Sequence, residues 1–292
     1  MDDVAIIILN WNGWKDTIEC LKSLNNLNYK NYEVIVVDNG STDNSVEKIK
    51  EYIENKPKFK LIANEKNLGF AGGNNIGIRY ALNNEFEYIL LLNNDTVVDE
   101  NFLKPMVELL ESSDDIGFVG PKTYFYDKKN VIQVAGGGYV DLTTARAYLL
   151  GYMENDSSKY NEVIELDYVS GSCILTKRDV IEEIGLLDER FFMYYEDVEW
   201  CYRGKKHGYK SFYQPEAVIW HKHGASTNKC FELYHLNKSR ILFIKKTGMK
   251  NFIKFVFKFF SNVFWLESYY YIRKYPQAYK CYLKGLLEGF KG

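Results

Sequence analysis

Apolar and polar positions alternate in blocks along the first hundred residues. Short runs rich in Ile, Val and Leu at Val4–Leu9, Tyr32–Val37, Phe59–Ala63 and Tyr88–Leu92 read as buried strands. Between them, Asp16–Leu24 places Ile18, Leu21 and Leu24 at helical spacing, with Glu19, Lys22 and Ser23 in the gaps. Helices are also expected over Val46–Glu54, capped by Asn44 or Ser45, and over Ile76–Leu82. Strands alternating with helices predict a mostly parallel sheet covered on both faces. Further on, residues 100–110 read as a helix, Ile116–Gly120 as a short strand and 121–166 as irregular. Tyr168–Thr176 reads as a strand whose Gly171 implies a bulge or a close backbone approach. Arg178–Ile184 and a segment from Glu196 to about His207 read as helices; Lys210–Tyr213 and Ala217–Trp220 read as strands.

All four early strands end in polar residues: Asn10 and Asn12; Asp38, Asn39 and Ser41; Asn67, Gly69 and Asn74; Asn94 and Asp95. In a parallel sheet these loops gather on one rim, where open α/β sheets bind ligands. Four such loops imply a ligand with many hydrogen-bonding groups, such as a nucleotide. Taken alone, Asn93-Asn94-Asp95 reads equally well as a turn or as a ligand site. Asn10–Lys15 has neither GxGxxG nor GxxxxGK[ST], which removes support for a dinucleotide dehydrogenase or a P-loop enzyme. Glu196 and Asp197 open a helix, where the macrodipole favours ionised carboxylates, and a carboxylate beside a polar rim can act as a general base. Acids at a helix start also stabilise it without any further role, and Glu199–Arg203 is an i,i+4 pair. His221 and His223 form an HxH pair that becomes a metal site if a third ligand joins, Asp95 being the candidate.

Composition is that of a folded chain of 292 residues, 46% hydrophobic and 26% charged, large enough for one domain with an appendage. The net charge of −2 hides an asymmetry: residues 229–292 hold 13 basic and 3 acidic side chains, a balance of +10, against −12 for the rest. Five scattered cysteines without a CxxC pair read as reduced cytosolic thiols. The N-terminus enters a strand directly and reads as neither signal peptide nor spanning helix.

In this order, ILNWNG, VVDNGSTD, NLGFAGGNN, LLNNDTVV, FFMYYEDVEWCYR and AVIWHKHG resemble the inverting family 2 glycosyltransferases of GT-A fold, nearest to the rhamnosyltransferase-like branch. The likeness runs over residues 4–240. It implies a Rossmann-like, mostly parallel sheet flanked by helices, with a C-terminal helical extension. It also implies a catalytic domain over 1–228 and a helical tail over 229–292. Within the domain, 1–120 would be the nucleotide-sugar half and 121–228 the acceptor half. By the same likeness, Asn10, Asp38, Asn39 and Ser41 would hold base and ribose, with Asn12, Asn67, Gly69, Asn74 and Asn94 lining the pocket. Asp95 and His221 would hold Mg²⁺ or Mn²⁺ against the diphosphate, and Asp197 would be the catalytic base. Asn93 departs from the DxD pattern, placing a neutral amide where the family has its first Asp. The implied donor is a nucleotide-diphosphate sugar, dTDP-rhamnose by the branch. The implied acceptor is a glycan or lipid-linked saccharide.

The tail alternates Lys and Arg with aromatics, and NFIKFVFKFFSNVFW (Asn251–Trp265) is too short to span a bilayer. It reads as an amphipathic, basic interfacial helix, or as one packed on the catalytic domain with lysines outward. The expected location is the cytoplasm, at the inner face of the cell membrane. Nucleic acid is not expected as a partner, because the body is acidic and lacks a recognition motif. The alternatives are a non-catalytic glycan-binding or membrane scaffold protein, and a sugar nucleotidyltransferase. The latter lacks its glycine-rich basic loop in NWNGWKD.

Overall fold

The first strand, β1 (Val4–Asn10), runs through the middle of a ten-stranded mixed sheet, and Val4 to Ile8 have no exposure at all. The computed structural model describes residues 3–222 and 228–291, so His223 lies outside the described residues. After β1 come α1 (Trp14–Leu24), β2 (Tyr32–Asp38), α2 (Ser45–Ile53), β3 (Phe59–Ala63), α3 (Gly69–Asn83) and β4 (Tyr88–Asn93). β4, β1, β2 and β3 lie side by side in that order and all parallel. Alternate residues of β1 serve opposite layers, as the two-residue repeat of a strand requires. Ile6 and Ile8 pack with Leu21, Leu24 and Ile49 on one face; Ala5 and Ile7 pack with Ile78 and Ala81 on the other.

The second half continues with β5 (Thr96–Val98), α4 (Leu103–Glu111), β6 (Ile116–Phe125), β7 (Lys128–Ala135), β8 (Gly137–Asp141) and β9 (Arg146–Leu149). Then come β10 (Ile164–Leu166), β11 (Tyr168–Val169), β12 (Cys173–Lys177), α5 (Arg178–Ile184), α6 (Glu196–Lys206) and β13 (Lys210–His221). The long sheet reads β10-β13-β6-β12-β4-β1-β2-β3, with β12 antiparallel to β4. A small sheet of β11-β8-β9 stands apart.

Four expectations change here. The stretch 121–166 is not irregular: it holds the second half of β6 and all of β7 to β10. The two strands expected before His221 are one strand, β13, with a register shift between Gln214 and Val218 where it passes β6. The glycine-rich stretch 69–73 is not a loop but the first turns of α3. Glycine disfavours helix, yet here it permits close approach: a Cβ on Gly73 would sit 2.4 Å from Leu9 Cδ1, and one on Gly77, further along α3, 2.4 Å from Ile7 Cγ2. Finally, the cysteines are not all reduced, because Cys230 and Cys281 form a disulfide; Cys20, Cys173 and Cys201 are free and buried. That pair is set by helix packing, which spacing in the chain does not reveal.

The tail folds into α7 (Lys229–Lys246), α8 (Met249–Lys258), a π-helical turn (Phe259–Val263), α9 (Phe264–Lys274) and α10 (Tyr279–Lys291). Leu233, Ile241, Phe255, Phe259 and Tyr282 bury a core of their own, while Leu242 and Phe243 of α7 join the layer beneath the main sheet. The disulfide joins the first turns of α7 and α10. No described helix is long and apolar enough to cross a membrane.

Candidate active site

Parallel register brings the rim together. Asn10 sits opposite Asp38, and Leu9 opposite Asn93, at the C-terminal ends of β2, β1 and β4. Asn10 and Asp38 are fully buried, so each must find its partners inside the protein. Asn10 Nδ2 donates to Asp38 Oδ2 at 2.6 Å, and its Oδ1 accepts from Thr17 Oγ1 at 2.8 Å. Asp38 also accepts from the Ser41 backbone N–H and hydroxyl, at 2.9 and 2.7 Å. Asn12, in the left-handed region at φ 53, donates its backbone N–H to Ser41 and accepts from Thr42 N through its side chain. Asn39 donates to Asn67 Oδ1 and to the Gly69 carbonyl, both at 3.0 Å, which ties the loop after β3 to the loop after β2. Asn94 donates to Thr17 Oγ1 at 3.0 Å. Asn74 does not join them: it lies inside α3 and gives its amide to the Phe70 carbonyl. The reason is the early start of α3, which turns position 74 from loop into helix.

Asn94 and Asp95 form the tight turn between β4 and β5, so the turn and the ligand-site readings of this stretch coexist. Strand β13 pairs with β5, placing His221 opposite Thr96. His221 Nε2 then lies 2.9 Å from Asp95 Oδ1. The other ring nitrogen, Nδ1, lies 2.5 Å from the buried Gln133 Oε1, so the imidazole is held at both nitrogens. Asn93 brings its amide nitrogen to 3.4 Å from the same Nε2. A carboxylate oxygen and an imidazole nitrogen at this distance are joined either by a proton or by a metal cation. Two ligand atoms in adjacent octahedral positions, each about 2.1 Å from a metal, lie about 3 Å apart. The donor set and its spacing therefore fit a divalent ion that takes its remaining ligands from elsewhere. Among the described residues, no three His, Cys, Asp or Glu side chains converge.

The second focus stands across a short turn. Ser170-Gly171-Ser172 links β11 to β12; Ser172 accepts from Asn93 N at 2.9 Å, and Gly171 N–H donates to Asp197 Oδ2 at 2.8 Å. A Cβ on Gly171 would meet Asp197 at 3.4 Å, an ordinary van der Waals contact, so the approach expected at this glycine is made by its backbone N–H and not by a steric need for glycine. Val198 N–H binds the other carboxylate oxygen. Before α6, Tyr194 and Tyr195 both take left-handed backbone, φ 68 and 69, a strained conformation of order 1–3 kcal/mol each. Contacts from three directions hold it. Phe70 N–H donates to Phe192 O, Ser239 of α7 to Met193 O, and Tyr195 OH to Ala145 O.

Burial pushes the Asp197 carboxyl above its ordinary value, although the two backbone N–H bonds oppose this. Glu196 is raised further, by burial and then by the Asp197 charge, and its Oε2 has no partner. Only Asp197 holds donors to its charged form from outside its own peptide unit. The first negative charge of the pair therefore resides on Asp197. Thr17, Gln133 and the Ser170–Ser172 turn were missed by sequence reasoning. Only Gly171 carried a signal.

Comparison with known proteins now places this geometry. The family model "Glycosyl transferase family 2" matches residues 5–185. The chain is 29% identical over 207 residues to the low-salt glycan biosynthesis hexosyltransferase of Haloferax volcanii, covering 70% of this chain and 62% of that protein. It is 26% identical over 220 residues to the poly-beta-1,6-N-acetyl-D-glucosamine synthase of Staphylococcus epidermidis, covering 75% and 50%. The chain thus spans between half and two-thirds of the length of these relatives. The solved mannosyltransferase of Pyrobaculum calidifontis, in complex with GDP-Man and Mn²⁺, gives a TM-score of 0.64 at 15% identity over 98% of this chain and 86% of that one. GalNAc-T7 with UDP, GalNAc and Mn²⁺ gives 0.66 at 18% identity, over 84% and 48%. At these identities the likeness carries the fold, which is GT-A-like as the sequence resemblance implied.

The Glu196 site makes stability depend on pH in a defined sense. Its folded pKa lies above its unfolded one, so stability from the site is full below about pH 4.3 and is lost as pH rises toward the folded pKa. The loss is at most about 1.4 kcal/mol per pH unit. Glu196→Gln removes this titration. Its urea midpoint should exceed the wild-type midpoint at pH 7.5, with the gap closing toward pH 4; a pH-independent gap contradicts the assignment.

Proposed function

Because the chain belongs to glycosyl transferase family 2, we propose that it is a metal-dependent, inverting glycosyltransferase. It would move a sugar from a nucleotide-diphosphate sugar to a hydroxyl of a glycan or lipid-linked saccharide. The observation that carries this reading is the Asp95–His221 pair at 2.9 Å, on the same rim as the Asn10–Asp38 cluster and one turn removed from Asp197. Asn10, Asp38, Asn39 and Ser41 hold base and ribose. Asn12, Asn67, Gly69 and Asn94 line the same pocket. The metal, Mg²⁺ or Mn²⁺ held by Asp95 and His221, supplies Lewis-acid stabilisation of the leaving diphosphate.

Asp197 acts as the base. It takes the proton of the acceptor hydroxyl while that oxygen bonds to the anomeric carbon, on the face opposite the breaking bond to the diphosphate. Inversion follows, and the nucleoside diphosphate leaves with the bonding electrons. The raised proton affinity of Asp197 strengthens it for this task. Glu196 beside it holds its proton more strongly than Asp197 does, which limits the build-up of a second negative charge there. The branch resemblance favours dTDP-rhamnose as donor; the names of the structural neighbours make GDP- and UDP-sugars the comparison set.

The tail adds a surface. Along α8, Met249, Ile253 and Phe257 form an exposed apolar strip, Phe257 at 79% exposure. Lys250, Lys254 and Lys258 border it. Trp265, Leu266 and Tyr269 extend it over α9. This is the pattern of a helix seated in a lipid interface with its lysines at the headgroups. We propose that residues 229–292 rest on the inner face of the cell membrane.

Two outcomes are expected. Asp197→Asn should lower transfer by roughly 10²–10⁴ while leaving nucleotide affinity unchanged. The acid limb of the wild-type rate should carry an apparent pKa above the usual aspartate value of about 3.9. Full activity in the variant rejects the base assignment. For the tail, the protein should sediment with phosphatidylglycerol-rich vesicles and not with pure phosphatidylcholine, and Ile253→Glu with Phe257→Glu should abolish this. Equal binding to both vesicles, or no effect of the double substitution, contradicts the surface.

A further inference from the structure

A cavity of about 450 Å³ lies between β9, α7 and α9, away from the donor rim. Its charge is unbalanced. Arg146 and Arg240 converge on the single carboxylate of Glu267: Arg240 Nη1 reaches it at 2.9 Å and Arg146 Nη2 at 2.7 Å. Arg240 is buried and spends its other donors on the Thr144 carbonyl, so it is a fixed part of the wall. Arg146 is different. Its Nη2 is held by Glu267, Tyr148 of the same wall hydrogen-bonds the guanidinium, and the side chain remains 41% exposed to the opening. Two cations against one anion leave a net charge of +1 in a partly enclosed space, where an anion is held far more strongly than in water.

The rest of the wall is not charged. Tyr148, Tyr270 and Tyr271 supply aromatic faces and hydroxyls. Leu266 and Tyr270, on the rim, belong to the same exposed apolar surface of α9 as Trp265 and Tyr269. An occupant can therefore keep a polar, anionic group in the cavity while an apolar chain leaves along that surface. Tyr195 lines the opposite side. Its strained backbone leads directly into Glu196 and Asp197, so the cavity adjoins the segment that carries the base.

We propose that this cavity binds the phosphate or diphosphate group of an amphiphilic acceptor, with Arg146 as the recognising cation and the α9 surface as the exit of its apolar chain. The proposal rests on the transferase reading above and gives its acceptor a chemical class: a saccharide joined through phosphate to a lipid chain. Arg146 binds, and takes no part in the chemical step.

Calorimetry on the full chain tests this, with farnesyl diphosphate and inorganic pyrophosphate as probes in EDTA, so that no metal recruits either probe to the rim. Farnesyl diphosphate should bind at least about tenfold more tightly than pyrophosphate. Arg146→Gln should weaken it about tenfold, a loss in the range of one charge-assisted contact. Tyr270→Ala should bring its affinity toward that of pyrophosphate. Glu267 remains paired with Arg240 in the Arg146 variant, and Mn²⁺-dependent nucleotide binding serves as its folding control. Equal affinity for both probes overturns the lipid assignment in favour of a free anion. Farnesyl diphosphate binding that ignores both substitutions overturns the site. Loss of nucleotide binding in the wild type would instead count against the transferase reading itself.

Discussion

The parallel register of β4, β1 and β2 is the constraint on which the rest of the molecule depends. A fully buried central strand admits no slip, since a shift of one residue would turn Ile6 and Ile8 out of one apolar layer and into the other. With that register fixed, Asn10 and Asp38 end side by side, and both are buried where water cannot satisfy them. Their bond at 2.6 Å, with the Ser41 and Thr17 hydroxyls around it, settles the shape of the first two loops. Asn93 and the Asn94–Asp95 turn follow from the neighbouring register. The site is thus a consequence of core packing, and its polar network is held at the edge of that core.

The antiparallel additions complete it. β12 beside β4 carries the Ser170–Ser172 turn to Asp197, and β13 beside β5 carries His221 to Asp95. The bend at Tyr194–Tyr195 would relax without support. It is held by α3, by α7 and by the turn before β9. Through Ser239 on α7 the tail contributes to the geometry of the proposed base, besides covering one face of the domain and exposing another. Fold, strain and surface are one mechanical system here, which accounts for a tail that buries its own core and still keeps large apolar side chains outside.

Much of this was legible in the chain. The buried strands were visible because continuous Ile, Val and Leu runs bounded by polar residues have few other uses. The rim residues followed from parallel geometry alone. What was hidden depends on partners distant in sequence. β7 to β10 have no run of apolar residues long enough to announce them, because each is completed by a neighbour. α3 begins in glycines that a local propensity argues against, and only Phe192 against Gly69 and Leu9 against Gly73 show why they are there. Gln133 lay in a stretch with no periodic signal, yet it holds the His221 ring from its Nδ1 side. Cys230 and Cys281 pair only because α10 returns along α7. Asn74 looked like its neighbours in the loop and turned out to serve its own helix.

The account turns on Asp95 and His221 acting together on one metal ion, the proposed partner of the leaving diphosphate. Pulsed electron paramagnetic resonance of Mn²⁺ bound with a nucleoside diphosphate addresses this without requiring turnover. The account predicts nitrogen modulation from one imidazole, absent in His221→Ala, with Mn²⁺ binding itself lost in Asp95→Ala. A spectrum without nitrogen coupling, or one unchanged by either substitution, would contradict it.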